Sequence, residues 1–215
     1  MPRLREVPRA EVSGRTLGYY KQIFGDRCPV AEPGTSTGTP GNYWTVMALA
    51  PHILEHMADH MESFPATPDE KLDRPSKLDG KLREIALLRA VFAVGSQFCF
   101  SQHCKAGRDF GVTQSQIDAI PGWQISKEFS DEERAVLAWT DGLVLERGRI
   151  SDDVADELKK YLSDELIIDL SYHVMFYNLH AVFTKAFRVE FDDVPERIVE
   201  VAAPEGSNAN WRGDV

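Results

Sequence analysis

From Asn42 onward, apolar residues recur at helical spacing. Trp44, Met47 and Ala48 begin one stripe, and Ile53, Leu54 and Met57 continue it past Pro51, which suits the first turn of a new helix. A polar loop, PATPDEKLDRPSK, separates this from LDGKLREIALLRAVFAVG, where Leu82, Ile85, Leu88 and Phe92 share a face. Ala86, Leu87, Ala90 and Val91 widen that face round most of the cylinder, which predicts a helix buried on most sides. Gly95 suits its C-terminal stop, and Ser96 suits the N-cap of a second helix running to about Phe110, ahead of Gly111. Downstream, VTQSQIDAIP predicts a short helix. The next begins at Ser130 with Glu133 completing a capping box, and its stripe is Val136, Leu137, Thr140 and Leu143. Ser151 caps another, and a long apolar helix starts near Ser163. Strand-like alternation is absent, so the predicted fold class is all-α.

The ends of the chain pattern differently. Pro and Gly punctuate residues 1–41, and CPVAEPGTSTGTPGN holds neither a helix nor a central strand. These residues read as an N-terminal arm, residues 42–192 as the helical domain, and residues 193–215 as a disordered or draped tail.

Composition narrows the field. The 215 residues are 43% hydrophobic and 27% charged, as in ordinary globular proteins, with net charge −10. The acidic balance argues against nucleic acid or an anionic membrane as partner. The chain has three cysteines, an odd number with no disulfide framework, which points to a reducing compartment. The N-terminus lacks an apolar signal region, and no apolar run approaches the roughly 18 residues of a membrane span. A cytoplasmic location is the resulting expectation. No metal-finger spacing, P-loop or Gly-rich dinucleotide fingerprint occurs, and neither cofactor nor metal is expected.

The chemistry concentrates in SQFCFSQHCKAG, residues 96–107, which holds two of the three cysteines and one of the six histidines. If Ser96 caps a helix, Cys99 is its third residue, among unpaired backbone N–H groups at the positive end of the helix dipole. His103 is one turn further along the same face, so Ser96, Cys99 and His103 form a stripe. Cys104 lies about 140° round the helix from Cys99, outside disulfide reach. The competing reading makes both thiols small buried hydrophobes and His103 a satisfied core histidine. Glu84 sits on the apolar helix upstream. A carboxylate there is costly unless paired, and burial is expected to raise its pKa into a useful acid/base range. The alternative is a salt bridge to Lys81, Arg83 or Arg89. Elsewhere, His52, His56 and His60 share a face at a spacing that suits Zn or Ni, or else form a solvated or interface face. His173, Tyr177 and His180 form an aromatic stripe that reads as core or, for Tyr177, as facing a pocket.

The series Glu84, eleven residues, Ser96, two residues, Cys99, three residues, His103 resembles the active-site motif of alkyl hydroperoxidase D (AhpD), in which cysteines stand at the positions of Ser96 and Cys99. The phrases LREIALLRA, GSQFCFSQHCKAGRDFGVT, DEERAVLAWTDGLV and VMFYNLHAVF are similar in order and spacing to the wider carboxymuconolactone decarboxylase-like family. The resemblance spans about residues 42–192 and implies an AhpD-like helical bundle that assembles as a homo-oligomer. Ser96 removes the internal two-cysteine disulfide, and Cys99 stands where many decarboxylase-like relatives carry Glu. The activity this implies is cofactor-free decarboxylation of a small unsaturated or lactone-type carboxylic acid. His103 would move the proton, Glu84 would orient or recharge His103, and Cys99 would line the site or relay the proton. Ser96, Arg83, Arg89 and Tyr177 would contact substrate, the arginines holding its carboxylates. Two alternatives remain: a one-cysteine thiol peroxidase with Cys99 as nucleophile, and a non-catalytic oligomeric binding protein.

Overall fold

The computed structural model describes residues 1–65, 68–72, 76–193 and 198–201, and all regular structure among them is helical. Nine α-helices occur in these segments: α1 Gly14–Phe24, α2 Asn42–Met47, α3 Pro51–Met61, α4 Gly80–Val94, α5 Gln97–Asp109, α6 Gln114–Ala119, α7 Asp131–Val144, α8 Asp152–Leu158 and α9 Asp164–Phe187. Short 3-10 turns occupy Arg9–Glu11 and Ile120–Ile125. The described residues divide into two compact units. One comprises the N-terminal segment through residue 72 with 183–193 and 201; the other comprises 76–182 with 198–200.

In the first unit, α1 and α2 each pack on α3 around the buried Tyr20, Tyr43, Leu54 and Met57. The Tyr20 hydroxyl donates to the Val7 carbonyl at 2.8 Å. The segment read as an arm thus carries α1, whose Thr16, Tyr19, Tyr20, Ile23 and Phe24 are buried. Glu190 sits inside this unit. Its carboxylate accepts the backbone N–H of Gly41 at 3.0 Å and of Tyr43 at 2.8 Å. Residues 194–197 and 202–215 of the expected tail lie outside the described residues.

The second unit is built on α4, which packs against α5 and α7. Ten consecutive residues of α4, Leu82 to Val91, are buried, as its all-round apolar pattern requires. The Asp79 side chain caps it, accepting from Leu82 N at 3.0 Å. Capping boxes form at Thr113 with Gln116 and at Ser130 with Glu133, each satisfying two backbone donors that the helix leaves unpaired. One side of α4 (Ala86, Ala90) packs with Leu137's neighbours Ala135 and Val136 and with Leu170 and Val174. The other side (Ile85, Leu88, Val91) packs with Cys99, Phe100, Cys104 and Ala181. Burying each such aliphatic side chain contributes about 1.5–3 kcal/mol.

Candidate active site

The site begins at the break between α4 and α5. Gly95 adopts φ 80°, the left-handed conformation that glycine accommodates at a helix C-terminus. Its N–H and that of Ser96 both return to the Val91 carbonyl, at 3.0 and 3.1 Å. The chain then restarts at once: the Ser96 side chain accepts from Cys99 N at 3.1 Å and caps α5. This tight reversal folds α5 back along α4. Glu84 of α4 and His103 of α5 meet, with Glu84 Oε2 2.8 Å from His103 Nδ1. The other carboxylate oxygen accepts from Arg83 Nε at 3.1 Å. All three are interior residues: Arg83 and Glu84 are each 1% exposed and His103 6%. The Arg83 guanidinium also lies 4.6 Å above the Phe110 ring, a cation–π contact.

The electrostatics correct one expectation. Burial does push the Glu84 carboxyl up, but the attraction and hydrogen bond of His103, joined by those of Arg83, more than offset it. Glu84 is held below the ordinary carboxylate value and is ionised. An ionised carboxylate only accepts, so His103 Nδ1 is the donor and Nε2 is left for other chemistry. An ionised Glu84 can hold the imidazole in one tautomer and carries no proton of its own to give.

α9 supplies the cover. The Tyr177 ring stands edge-on to His103, with centroids 4.4 Å apart at 86°. His180, one turn along, lies 5.8 Å from Tyr177 and stacks on Phe98 of α5 at 6.1 Å. One turn back, His173 lies 3.1 Å from Asp169, and both Arg83 and Glu84 act on it electrostatically. Burial holds its pKa below the ordinary imidazole value. The stripe His173, Tyr177, His180 therefore borders the dyad. Its 3- and 4-residue spacing was the available signal for His173 and His180, whereas Asp169 had none beyond lying four residues before His173.

Among the residues singled out in the sequence, Arg83, Glu84, His103 and Tyr177 come together. Ser96 and Cys99 occupy the cap and first turn of α5, with Cys99 one helical turn before His103. Arg89 is directed elsewhere: its Nη2 donates to Asp141 at 3.1 Å, and that carboxylate also accepts from Trp123 at 3.0 Å and Gln124 at 3.2 Å. Asp141 is a structural acceptor that sequence reasoning did not single out. Cys104 is fully buried, and burial pushes its thiol up to about 12. On α3, His52 and His56 are exposed while His60 is buried beside Phe64, at 5.7 Å. Among the described residues no group of three or more His, Cys, Asp or Glu side chains converges to hold a metal ion. No described helix is long and apolar enough to cross a membrane.

The helical architecture is an AhpD-like fold. Solved structures share this fold. One is the AhpD core of an uncharacterized peroxidase-related protein from Ralstonia eutropha JMP134, with TM-score 0.66 and 12% identity over 87% of this chain and 90% of that one. Another is the debrominase Bmp8, solved as a cysteine-to-alanine variant with 2,3,4-tribromopyrrole, with TM-score 0.61 and 16% identity over 87% and 90%. Residues 58–142, which contain Glu84, Ser96, Cys99 and His103, match the Carboxymuconolactone decarboxylase family. The uncharacterized protein YdfG of Bacillus subtilis (strain 168) is 26% identical over 102 residues, 47% of this chain and 69% of that protein. Over residues 58–142 the chain is similar to the Carboxymuconolactone decarboxylase family, and its fold is that of the AhpD-like structures.

Proposed function

We propose that the chain is a thiol-dependent oxidoreductase of peroxidase type, with Cys99 as nucleophile, His103 as its base and Glu84 as the group that orients the base. The observation that carries this reading is the Glu84–His103 hydrogen bond at 2.8 Å, one helical turn from a cysteine at the capped N-terminus of α5. Nucleophile, base and orienting carboxylate in series are the parts of an activated thiol, and the helix N-terminus favours the thiolate. The Cys99 thiol gives its proton to His103 Nε2. The thiolate attacks one oxygen of a hydroperoxide, the O–O bond breaks, and the departing alkoxide takes the proton from His103. This leaves a sulfenic acid on Cys99 and an alcohol. Two external thiols then reduce the sulfenic acid, forming their disulfide and water. The reductant is external because Ser96 stands where a second cysteine would resolve the intermediate. Small peroxides suit a site this deeply buried. The debrominase Bmp8, which shares this fold, was crystallised as a cysteine-to-alanine variant with 2,3,4-tribromopyrrole, and this supports a reading built on a cysteine.

Decarboxylation is the second reading, favoured by the family match over residues 58–142. It requires a cation for the substrate carboxylate, and Arg83 and Arg89 are both committed to internal carboxylates. One experiment separates the two. Peroxide consumption with a dithiol, and decarboxylation of muconolactone-type acids, are measured for wild type, Cys99→Ser and His103→Ala. The expected result is peroxide turnover in wild type, none in Cys99→Ser, and a roughly 100-fold slower rate in His103→Ala. Turnover of an acid that survives in Cys99→Ser but not in His103→Ala would establish the decarboxylase instead.

A further inference from the structure

His173 is a buried titratable group that the thiol chemistry above does not use. It is 1% exposed and sits one turn before Tyr177, whose ring stands edge-on to His103. Charging an imidazole inside a protein is costly unless a counter-ion is at hand. Here one is built in. His173 Nε2 lies 3.1 Å from Asp169 Oδ1, four residues back on α9. The other oxygen of Asp169 accepts from the Ser76 hydroxyl, which itself accepts from Leu78 N at 3.2 Å. Asp169 is thus fixed both by its own helix and by the segment that leads into α4. Its side chain is 26% exposed, so it reaches solvent while His173 does not. A proton taken up there is held in the interior as an Asp169–His173 ion pair.

The effect of that proton depends on what else faces the ring. From α4 two charges act on it: Arg83 disfavours a protonated His173 and Glu84 favours one. From α7 the neighbouring group is uncharged, the Trp139 indole, which donates to Ser171 at 2.9 Å. Lys77, beside Ser76, is turned to Glu165 at 3.2 Å. Glu84 therefore serves two imidazoles. It bonds His103 of α5 at 2.8 Å and attracts His173 of α9. We propose that His173, seated on Asp169, is a positioning residue of the active site: neutral, it leaves Glu84 to His103, and protonated, it competes for that carboxylate and stops His103 from taking the Cys99 proton. This rests on the thiol reading above. The step under control is the transfer from Cys99 to His103 Nε2, which creates an imidazolium. A second imidazolium beside the same carboxylate opposes that charge, with little water to screen the repulsion. Asp169 sets the acidity at which the switch acts. Burial and Arg83 push protonation of His173 towards acid, and Asp169 pulls it back.

The test has two readouts on the full chain. Histidine ring NMR signals are followed from about pH 8 down to about pH 4.5 in wild type, Asp169→Asn, His173→Gln and the double variant, with helical circular dichroism as the check on folding. The signals of His173 are those missing from His173→Gln, and those of His103 are missing from His103→Ala. In wild type the His103 signals should show a step shared with His173. That step should move down by at least about one pH unit in Asp169→Asn and vanish in His173→Gln. The second readout is peroxide consumption with a dithiol. On the acid side wild type should lose more than about tenfold in rate per pH unit, as two protonations require, and His173→Gln about tenfold. The double variant should match His173→Gln, because Asp169 acts through the ring. A His103 titration indifferent to His173, a His173 that stays neutral until the helices are lost, or equal acid limbs in wild type and His173→Gln would overturn the proposal. Should His173→Gln fail to fold, Asp169→Asn at its partly exposed position decides: an unchanged His103 curve and an unchanged acid limb would overturn it too. Absence of peroxide turnover in wild type would refute the thiol reading instead, and the imidazole titration then decides alone whether His173 governs His103.

Discussion

Arg83, Glu84 and His103 form a charged group inside the core, and its energetics follow from burial. Glu84 is paired on both sides, so the cost of desolvating it is offset only while both partners are present. Glu84→Gln keeps the shape and removes the charge, leaving the Arg83 guanidinium buried without its counter-ion. The expected loss is roughly 3–5 kcal/mol in urea unfolding, most of it recovered in Arg83→Met/Glu84→Gln. A double variant no more stable than the single one would contradict this account. The pH sign is fixed too. The folded-state pKa of Glu84 lies below its unfolded value, so its stabilisation is complete above the ordinary carboxylate range and is lost as acid protonates it. The gap between wild type and Glu84→Gln should therefore narrow on acidification. The sequence identified Glu84 and His103 but placed Arg83 in two roles, as a salt-bridge partner and as a holder of substrate. Spacing alone does not say which way an arginine on an all-apolar helix turns; the contact with Phe110 does.

Helices carry a clearer message in sequence than single side chains do. Caps at Asp79, Ser96, Thr113, Ser130 and Ser151 mark starts because their side chains satisfy backbone donors, and Gly95 marks a stop. α1 was obscured. Its stripe of Thr16, Tyr19, Tyr20, Ile23 and Phe24 has helical spacing, but Gly14, Gly18 and Gly25 punctuate it and a Pro-rich run follows. The outward face of α9, with Ile168, Tyr172 and Val182 exposed, was illegible for the opposite reason. A helix apolar all round reads as buried on every side, and only packing distinguishes the face that is not. Gly80 links element to site. A Cβ there would come within 2.3 Å of the Phe110 ring, against which Arg83 lies. Gly80→Ala would ordinarily favour a helix by about 0.5–1 kcal/mol. Here the displaced ring reverses the sign, and a net loss of roughly 1–3 kcal/mol is expected in thermal or urea unfolding. A gain in stability would show that Phe110 moves freely.

At the scale of the molecule, the N-terminal unit has its own pH dependence. Burial, with Glu6 adding to it, raises the Glu190 carboxyl to about 7, although the N–H groups of Tyr43 and Gly41 and the Thr39 side chain favour its charged form. A folded-state value above the unfolded one means stability is fullest below the unfolded pKa and declines as pH rises to about 7. The decline should be on the order of 3 kcal/mol at about 1.36 kcal/mol per unit. It should be absent from Glu190→Gln, so the difference between the two unfolding profiles across this range is the measurement. The second unit poses a question of order in folding instead. Glu84 and His103 are only 19 residues apart, joined by the reversal at Gly95. The entropy of closing so short a loop is small, and contacts this local form early. Carboxylate and imidazole thus reach each other through a single hairpin of two helices rather than through the finished core. Mutations in α7, α8 or α9 can therefore change how fast the chain unfolds while leaving the reactive pair to reassemble at its own rate.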